Sequence, residues 1–98
     1  MSGKQTVAGI ESAIDELIGQ VVVLDVSSPY VYVGTLAGHD DLYLILTAAD
    51  VHDLRDTATN REIYVLDSRR HGVRANRNRV LVRRNEVVSL SVLDDVVA

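Results

Sequence analysis

Apolar residues recur along the first segment at Val7, Ile10, Ile14, Leu17 and Ile18. Those spacings of three and four draw one stripe on a helix over Thr6–Ile18, with Glu11, Asp15 and Glu16 mostly off it. Thr6 or Ser12 can cap its start, and Gly19 stands where a helix-ending glycine belongs. Past Gly19 the texture turns β-branched. Gln20–Val26 reads as a strand, and Ser27-Ser28-Pro29 supplies the turn that ends it. Tyr30–Gly38 reads as a second strand, with Gly34 marking a bulge or a place where another backbone comes close. His39-Asp40-Asp41 is a tight polar connection. Leu42–Val51 alternates as a third strand, with Leu42, Leu44 and Leu46 on one side and Tyr43, Ile45 and Thr47 on the other.

Arg79–Arg83 and Glu86–Leu93 form two further strands about a short connection at Arg84-Asn85. Between the third and fourth strands lies a stretch of different character, residues 52–78. Thr59 and Glu62 match a capping box, an apolar group follows at residues 63–66, and Arg69, Arg70, His71 and Gly72 give a suitable helix end. The reading is a helix over Thr59–His71, with a strand over the apolar run as the alternative. No repeat or linker divides the chain, so one domain is expected over residues 1–98: an N-terminal arm and helix (1–18), three strands (20–51), an insertion (52–78) and a final hairpin (79–93). Five short strands behind a helix fit a mainly β fold, a strongly bent, open small barrel.

Composition narrows the chemistry. The 98 residues contain no Cys, which removes disulfides, thiolate zinc sites and cysteine nucleophiles. The longest apolar runs fall far short of the roughly 20 residues of a membrane-spanning helix. Met1–Thr6 leads into no apolar core, so no secretory signal is expected and a cytoplasmic protein is. The formal net charge of −4 argues against a nucleic-acid binder working by bulk charge. That total hides an uneven spread. Residues 69–84 hold Arg69, Arg70, Arg74, Arg77, Arg79, Arg83 and Arg84 and no acid, seven of the ten basic residues of the chain. Arginine presents a planar fork suited to phosphate, carboxylate or base faces. Two readings follow: arginines paired with the acidic body, or an anion- or RNA-binding patch.

Two stretches resemble the signature motifs of the Sm/LSm proteins. VGTLAGHDDLYLIL, with Gly34, Leu36, Asp40, Leu42, Leu44 and Leu46, is similar to the first motif, and VLVRRNEVVSL (80–90) to the second. The resemblance covers residues 17–51 and 79–93, with the insertion enlarging the connection between strands 3 and 4. It implies an Sm-like fold and a ring, usually of six or seven subunits, in which the fourth strand of one protomer pairs with the fifth of its neighbour. Such pairing would close two open sheet edges. In RNA-binding members the two motif loops line a central pore, where a base stacks on the second-motif Arg and an Asn reads the uracil edge. Carried over position by position, Arg83 takes the Arg place, Asn85 the Asn/Asp place and Asp40 the first-motif Asp. Arg84 replaces the usual Gly, and Tyr43 stands where the uracil-reading Asn is expected. The loop is one residue short, with Asp41 near the place of the stacking aromatic.

The expected RNA-binding residues are therefore Arg83, Asn85, Tyr43, Asp40 and Arg84, with Tyr43 offering a stacking face or interface packing. The expected partners are copies of the chain itself, single-stranded RNA at the pore, or an acidic protein at the Arg-rich 69–84 segment, and no membrane. The alternative function is a scaffold or protein-interaction ring that has lost uridine-specific binding. His39, Asp40 and Asp41 with Asp50, His52 and Asp53 offer metal-ligand chemistry, but surface turns are rich in Asp and no metal or other cofactor is expected. Ser27, Ser28, Ser89 and Ser91 lie in turn or strand text away from any His, so no enzyme is expected.

Overall fold

The chain folds around one antiparallel sheet of five strands in the order β4-β3-β2-β1-β5. The computed structural model describes residues 13–56 and 59–97. The strands are β1 (Val21–Val26), β2 (Tyr30–His39), β3 (Tyr43–Asp53), β4 (Arg77–Arg83) and β5 (Val87–Val92). One helix, α1 (Arg61–His71), joins β3 to β4, and 3₁₀ turns follow β4 (Arg84–Glu86) and β5 (Leu93–Asp95). All five strands agree with the sequence pattern to within two residues. Most of the expected Thr6–Ile18 helix lies outside the described residues. Residues 13–15 are helical and turn into β1 at Gly19, whose N–H donates to the Leu36 carbonyl at 2.8 Å.

Strand alternation sends side chains to two faces, and both are covered. Val22, Leu24, Val26, Leu36, Leu44, Leu46, Ala49 and Val82 form the inner core, against which Ile14 and Leu17 of the N-terminal turn pack. Removing a Val or Leu side chain of this kind from water contributes roughly 1.5–3 kcal/mol. Val23, Val31 and Val33 point to the opposite face and pack with Val65 of α1 and Leu93. Leu42 departs from its expected alternation. It precedes β3 and is 66% exposed, because the connection before it curls back on Asp40.

The sheet bends where β2 meets β3. Their pairing runs Val33↔Asp50 and then Thr35↔Thr47, so Gly34 alone stands opposite Ala48 and Ala49. The extra residue is absorbed by Ala48, which takes a left-handed φ of 46°. A Cβ on Gly34 would lie 2.9 Å from both Cα and Cβ of Ala49, closer than carbon atoms approach, so the close backbone approach expected at Gly34 is real. A second shift between Leu36 and Gly38 continues the bend.

The insertion is helical. Its cap is Asn60, not the expected Thr59: the Asn60 Oδ1 accepts the Ile63 N–H at 2.9 Å, so the helix begins at Arg61. Asn is the stronger cap of the two, and a start at Arg61 sets Tyr64 and Val65 against the sheet. Gly72 ends the helix at φ 89°, its N–H donating to the Ser68 carbonyl at 2.9 Å. Arg61 Nε lies 3.0 Å from Asp25 Oδ1 of β1, and the Ser89 hydroxyl of β5 donates to Asp25 Oδ2 at 3.0 Å. This half-buried carboxylate ties helix and edge strand to the centre of the sheet.

Two opposite-signed substitutions test the bend. Gly34→Ala forces β2 and β3 apart and is expected to cost about 1–3 kcal/mol in urea unfolding. Ala48→Gly removes a left-handed alanine and should be neutral to about 1 kcal/mol stabilising, after the greater chain entropy of glycine is subtracted.

Candidate nucleic-acid interface

The connection between β2 and β3 is organised by one carboxylate. Asp40 Oδ1 accepts the backbone N–H of Leu42 at 2.8 Å and that of Tyr43 at 2.7 Å, while the Asp40 N–H donates to the Tyr43 carbonyl at 3.0 Å. The short loop is thus closed on an Asp side chain, the usual use of Asp in a turn. The two amide donors hold the Asp40 carboxyl below the ordinary carboxylate range, with the Arg84 charge adding to the effect.

Strand pairing then brings in the second motif. Tyr43 is the cross-strand partner of Arg83. The next residue, Arg84, donates its backbone N–H to the Leu42 carbonyl at 2.8 Å and its Nη1 to the Asp40 carbonyl at 2.7 Å. Four of the five expected residues, Asp40, Tyr43, Arg83 and Arg84, are therefore neighbours across one end of β3 and β4. Asn85 lies in the adjoining 3₁₀ turn with its side chain exposed. Among the described residues, the side chains of Arg83 and Asn85 engage no partner. Arg84, where the motif resemblance expects a glycine, sits without positive-φ strain, since among the described non-glycine residues only Ala48 has positive φ. The 3₁₀ turn asks for nothing that arginine lacks, and its guanidinium is spent bracing the loop.

Two aromatic residues that sequence reasoning did not single out lie beside this cluster. Tyr30 and Tyr32, with Val26, Ser28, Leu81, Val82, Arg83 and Glu86, line a cleft of about 300 Å³ at the seam between the sheet edges. The signal was present in the Tyr-Val-Tyr alternation at the start of β2, which sends both rings to one face. Burial raises the Tyr32 hydroxyl pKa, helped by the neighbouring Tyr30 and Glu86. Arg55 is positioned over the Tyr30 ring, 5.6 Å from its centroid, and is held there by Asp53 at 2.9 and 2.8 Å. That bidentate pairing lowers the Asp53 pKa to about 2.

The His and Asp residues considered for metal binding are directed to different partners. His39 Nε2 lies 2.6 Å from Asp15 Oδ1, His52 stacks on Tyr64 with ring centroids 4.0 Å apart, and Asp53 holds Arg55. Among the described residues, no ion pair joins Arg69, Arg70, Arg74, Arg77, Arg79 or Arg83 to an acid, while the Arg84 charge acts on Asp40. Arg69, Arg77 and Arg84 donate to backbone carbonyls of Val96, Asn76 and Asp40. The ion pairs found among the described residues join His39 to Asp15, Arg55 to Asp53 and Arg61 to Asp25. Asp25 lies on β1 and Asp53 at the end of β3, past the last β3 residue paired with β4, Ala49.

No family model and no curated protein sequence matches the chain. Among solved structures it is similar to an Sm protein of Pyrococcus abyssii in complex with a uridine heptamer, at 17% identity and a TM-score of 0.57. The alignment covers 83% of this chain and 93% of that one. The chain has the Sm-like fold.

Asp40 supplies a test of the loop. Its folded pKa is depressed, so its stabilising contribution is fully present above the unfolded value of about 4 and is lost as pH falls through the folded pKa. The amide proton shifts of Leu42 and Tyr43, followed by NMR from pH 6 to 2, should inflect below that value. In Asp40→Ala the inflection should vanish and both amides should exchange faster at neutral pH. An inflection at or above the unfolded value would exclude the two-amide arrangement.

Proposed function

We propose that this Sm-like chain assembles through its edge strands into a ring and binds single-stranded RNA, without catalysis, at the surface formed by Arg83, Asn85, Tyr43, Asp40 and Arg84. The observation that carries this reading is the register of β3 with β4, which sets Tyr43 opposite Arg83 and folds Arg84 back onto the Asp40 loop. Residues from two distant segments, each resembling one motif of an RNA-binding family, meet at one end of the sheet. The structural likeness to a protein solved with a uridine heptamer supports the same reading.

The roles follow from chemistry. Arg83 offers a guanidinium plane to stack on a base or a fork for its phosphate. Tyr43 offers an aromatic face but cannot present the paired donor and acceptor by which an amide reads a base edge. Asn85 is the remaining amide, exposed in the turn. Asp40 and Arg84 hold the loop shape rather than meet the ligand. Stacking with a single amide reader favours binding with little base preference.

Assembly is supported by the two edges. β4 pairs only with β3 and β5 only with β1 among the described strands, so one backbone edge of each has no strand partner within the chain. Such edges invite strand addition. Joining β4 of one copy to β5 of the next repeats head to tail, and it closes a ring if the rotation per step permits.

Light scattering after size exclusion should give a single species of six or seven chains at micromolar concentration, and a monomer would exclude the ring. In fluorescence anisotropy, oligo-U and oligo-A should bind within about threefold of each other, and Arg83→Ala should weaken both by about tenfold or more, the scale of one lost stacking contact. A ring that binds neither RNA supports the scaffold function in place of this one.

A further inference from the structure

We infer that the outward row of β4, Arg77, Arg79 and Arg83 with Leu81 between them, is a phosphate-binding track that carries single-stranded nucleic acid onward from the loop cluster. The inference rests on the RNA reading above and extends it along β4 to Arg77 and Arg79, which precede the VLVRRNEVVSL stretch.

Strand alternation fixes the row. Val80 and Val82 turn inward and pack against the core, so the odd-numbered residues face out. Arg77, Arg79, Leu81 and Arg83 are all exposed. Side chains on one side of a strand repeat about every 6.7 Å, a spacing comparable to that of phosphates along an extended single strand. The cross-strand partners on the same face are Thr47 beside Arg79, Ile45 beside Leu81 and Tyr43 beside Arg83. None carries charge. The row is therefore cationic along its edge and apolar to aromatic beside it, a surface on which phosphates and the faces of sugars or bases find separate places.

The pairing of the remaining arginines sharpens the point. Acids outnumber bases 14 to 10 in this chain. Arg55 and Arg61 each sit on an aspartate, at 2.8 and 3.0 Å. Yet Arg79 and Arg83 have no partner among the described residues, and Arg77 donates only to the Asn76 carbonyl at 3.0 Å. In a chain with acid to spare, three cations on one strand with no carboxylate among their cross-strand neighbours leave a local positive field that the net charge conceals. A polyanion of regular spacing fits it. Contacts from such a row go to the backbone, so the track reads neither base nor sugar.

The test uses the full chain and labelled single strands of about 6 and about 18 nucleotides, spanning the loop cluster alone or the cluster and the track. Anisotropy is measured across a salt series with wild type, Arg77→Gln/Arg79→Gln and Arg83→Ala, each checked for an unchanged assembly and thermal transition. Glutamine keeps the stem and the strand and removes the charge. The double variant should bind the longer RNA about tenfold more weakly. Its log-affinity against log-salt slope should flatten by about 1.4, two single-strand phosphate contacts, with the short RNA unchanged. DNA of the same length and sequence should lose as much. If Arg83→Ala weakens both lengths while the double variant weakens neither, the track is excluded and the loop site stands. If the double variant weakens the long strand and Arg83→Ala changes nothing, the loop site falls and the track as drawn, from Arg77 through Arg83, is overturned with it. Wild type that binds no strand of either length excludes both. Binding of polyglutamate at the same arginines in preference to RNA would assign the row to an acidic protein and overturn the inference.

Discussion

Everything in this fold is hung on one tight crossing, the backbone of β2 passing Ala49 of β3 at Gly34. A residue with a side chain there would meet Ala49 carbons at 2.9 Å, so only glycine lets the strands approach. Ala48 takes up the extra residue at a left-handed φ, and the strand turns sharply at that point. The bend changes which face each half of β3 serves. Before it, Leu44 and Leu46 face the inner core. After it, Asp50 and His52 meet Tyr64 of α1 on the outer face. One curled sheet can thereby hold an inner core and also seat a helix on its back. Without the bend a five-stranded sheet of such short strands would be flat and half-covered.

The outer face also explains how the insertion fits. Tyr64 donates to Asp50 at 2.5 Å, Asn76 donates to the same carboxylate at 3.0 Å, and Asn76 pairs with both backbone groups of Val51. Burial followed by the bond to Asp50 raises the Tyr64 pKa, so the phenol remains a donor through the physiological range. The network pins the helix, through Tyr64, and the end of the excursion, through Asn76, to one stretch of β3. β4 therefore returns in register with β3 despite the residues intervening, and it is that register which sets Arg83 opposite Tyr43.

What could be read from the residues divides along physical lines. The strands were legible because period-two alternation over Val- and Leu-rich text is a local signal, and Gly34 was legible because a glycine inside such text has few other uses. The helix was legible in type but shifted at its start, since Thr59 and Asn60 can both cap a helix, Asn the more strongly. The convergence of Asp40, Tyr43, Arg83 and Arg84 followed from the motif resemblance, not from spacing, because the partners lie some forty residues apart. The shared face of Tyr30 and Tyr32 could be read from their alternation, but the cleft they line with β4 and the lack of acidic partners for the β4 arginines could not. Both depend on which face a strand turns toward which neighbour, and charge counts alone left arginines paired with the acidic body and an exposed anion-binding patch equally open.

That last point bears on how net charge should be weighed in small β proteins. A strand presents alternate residues to one face and draws its lateral neighbours from other parts of the chain. Segregation of charge by strand therefore becomes segregation by surface. Here the acids lie mainly in turns, on β1 and on the helix, where Asp40 closes a loop, Asp53 holds Arg55 and Asp25 anchors α1. Each is committed to local structure at distances near 3 Å, and at physiological ionic strength a carboxylate more than about 8 Å away offers little compensation. A net negative chain can thus hold an edge strand whose exposed side carries three arginines and no acid. The sum over residues predicts how the molecule behaves toward a distant polyanion. The strand decides what happens once that polyanion is in contact.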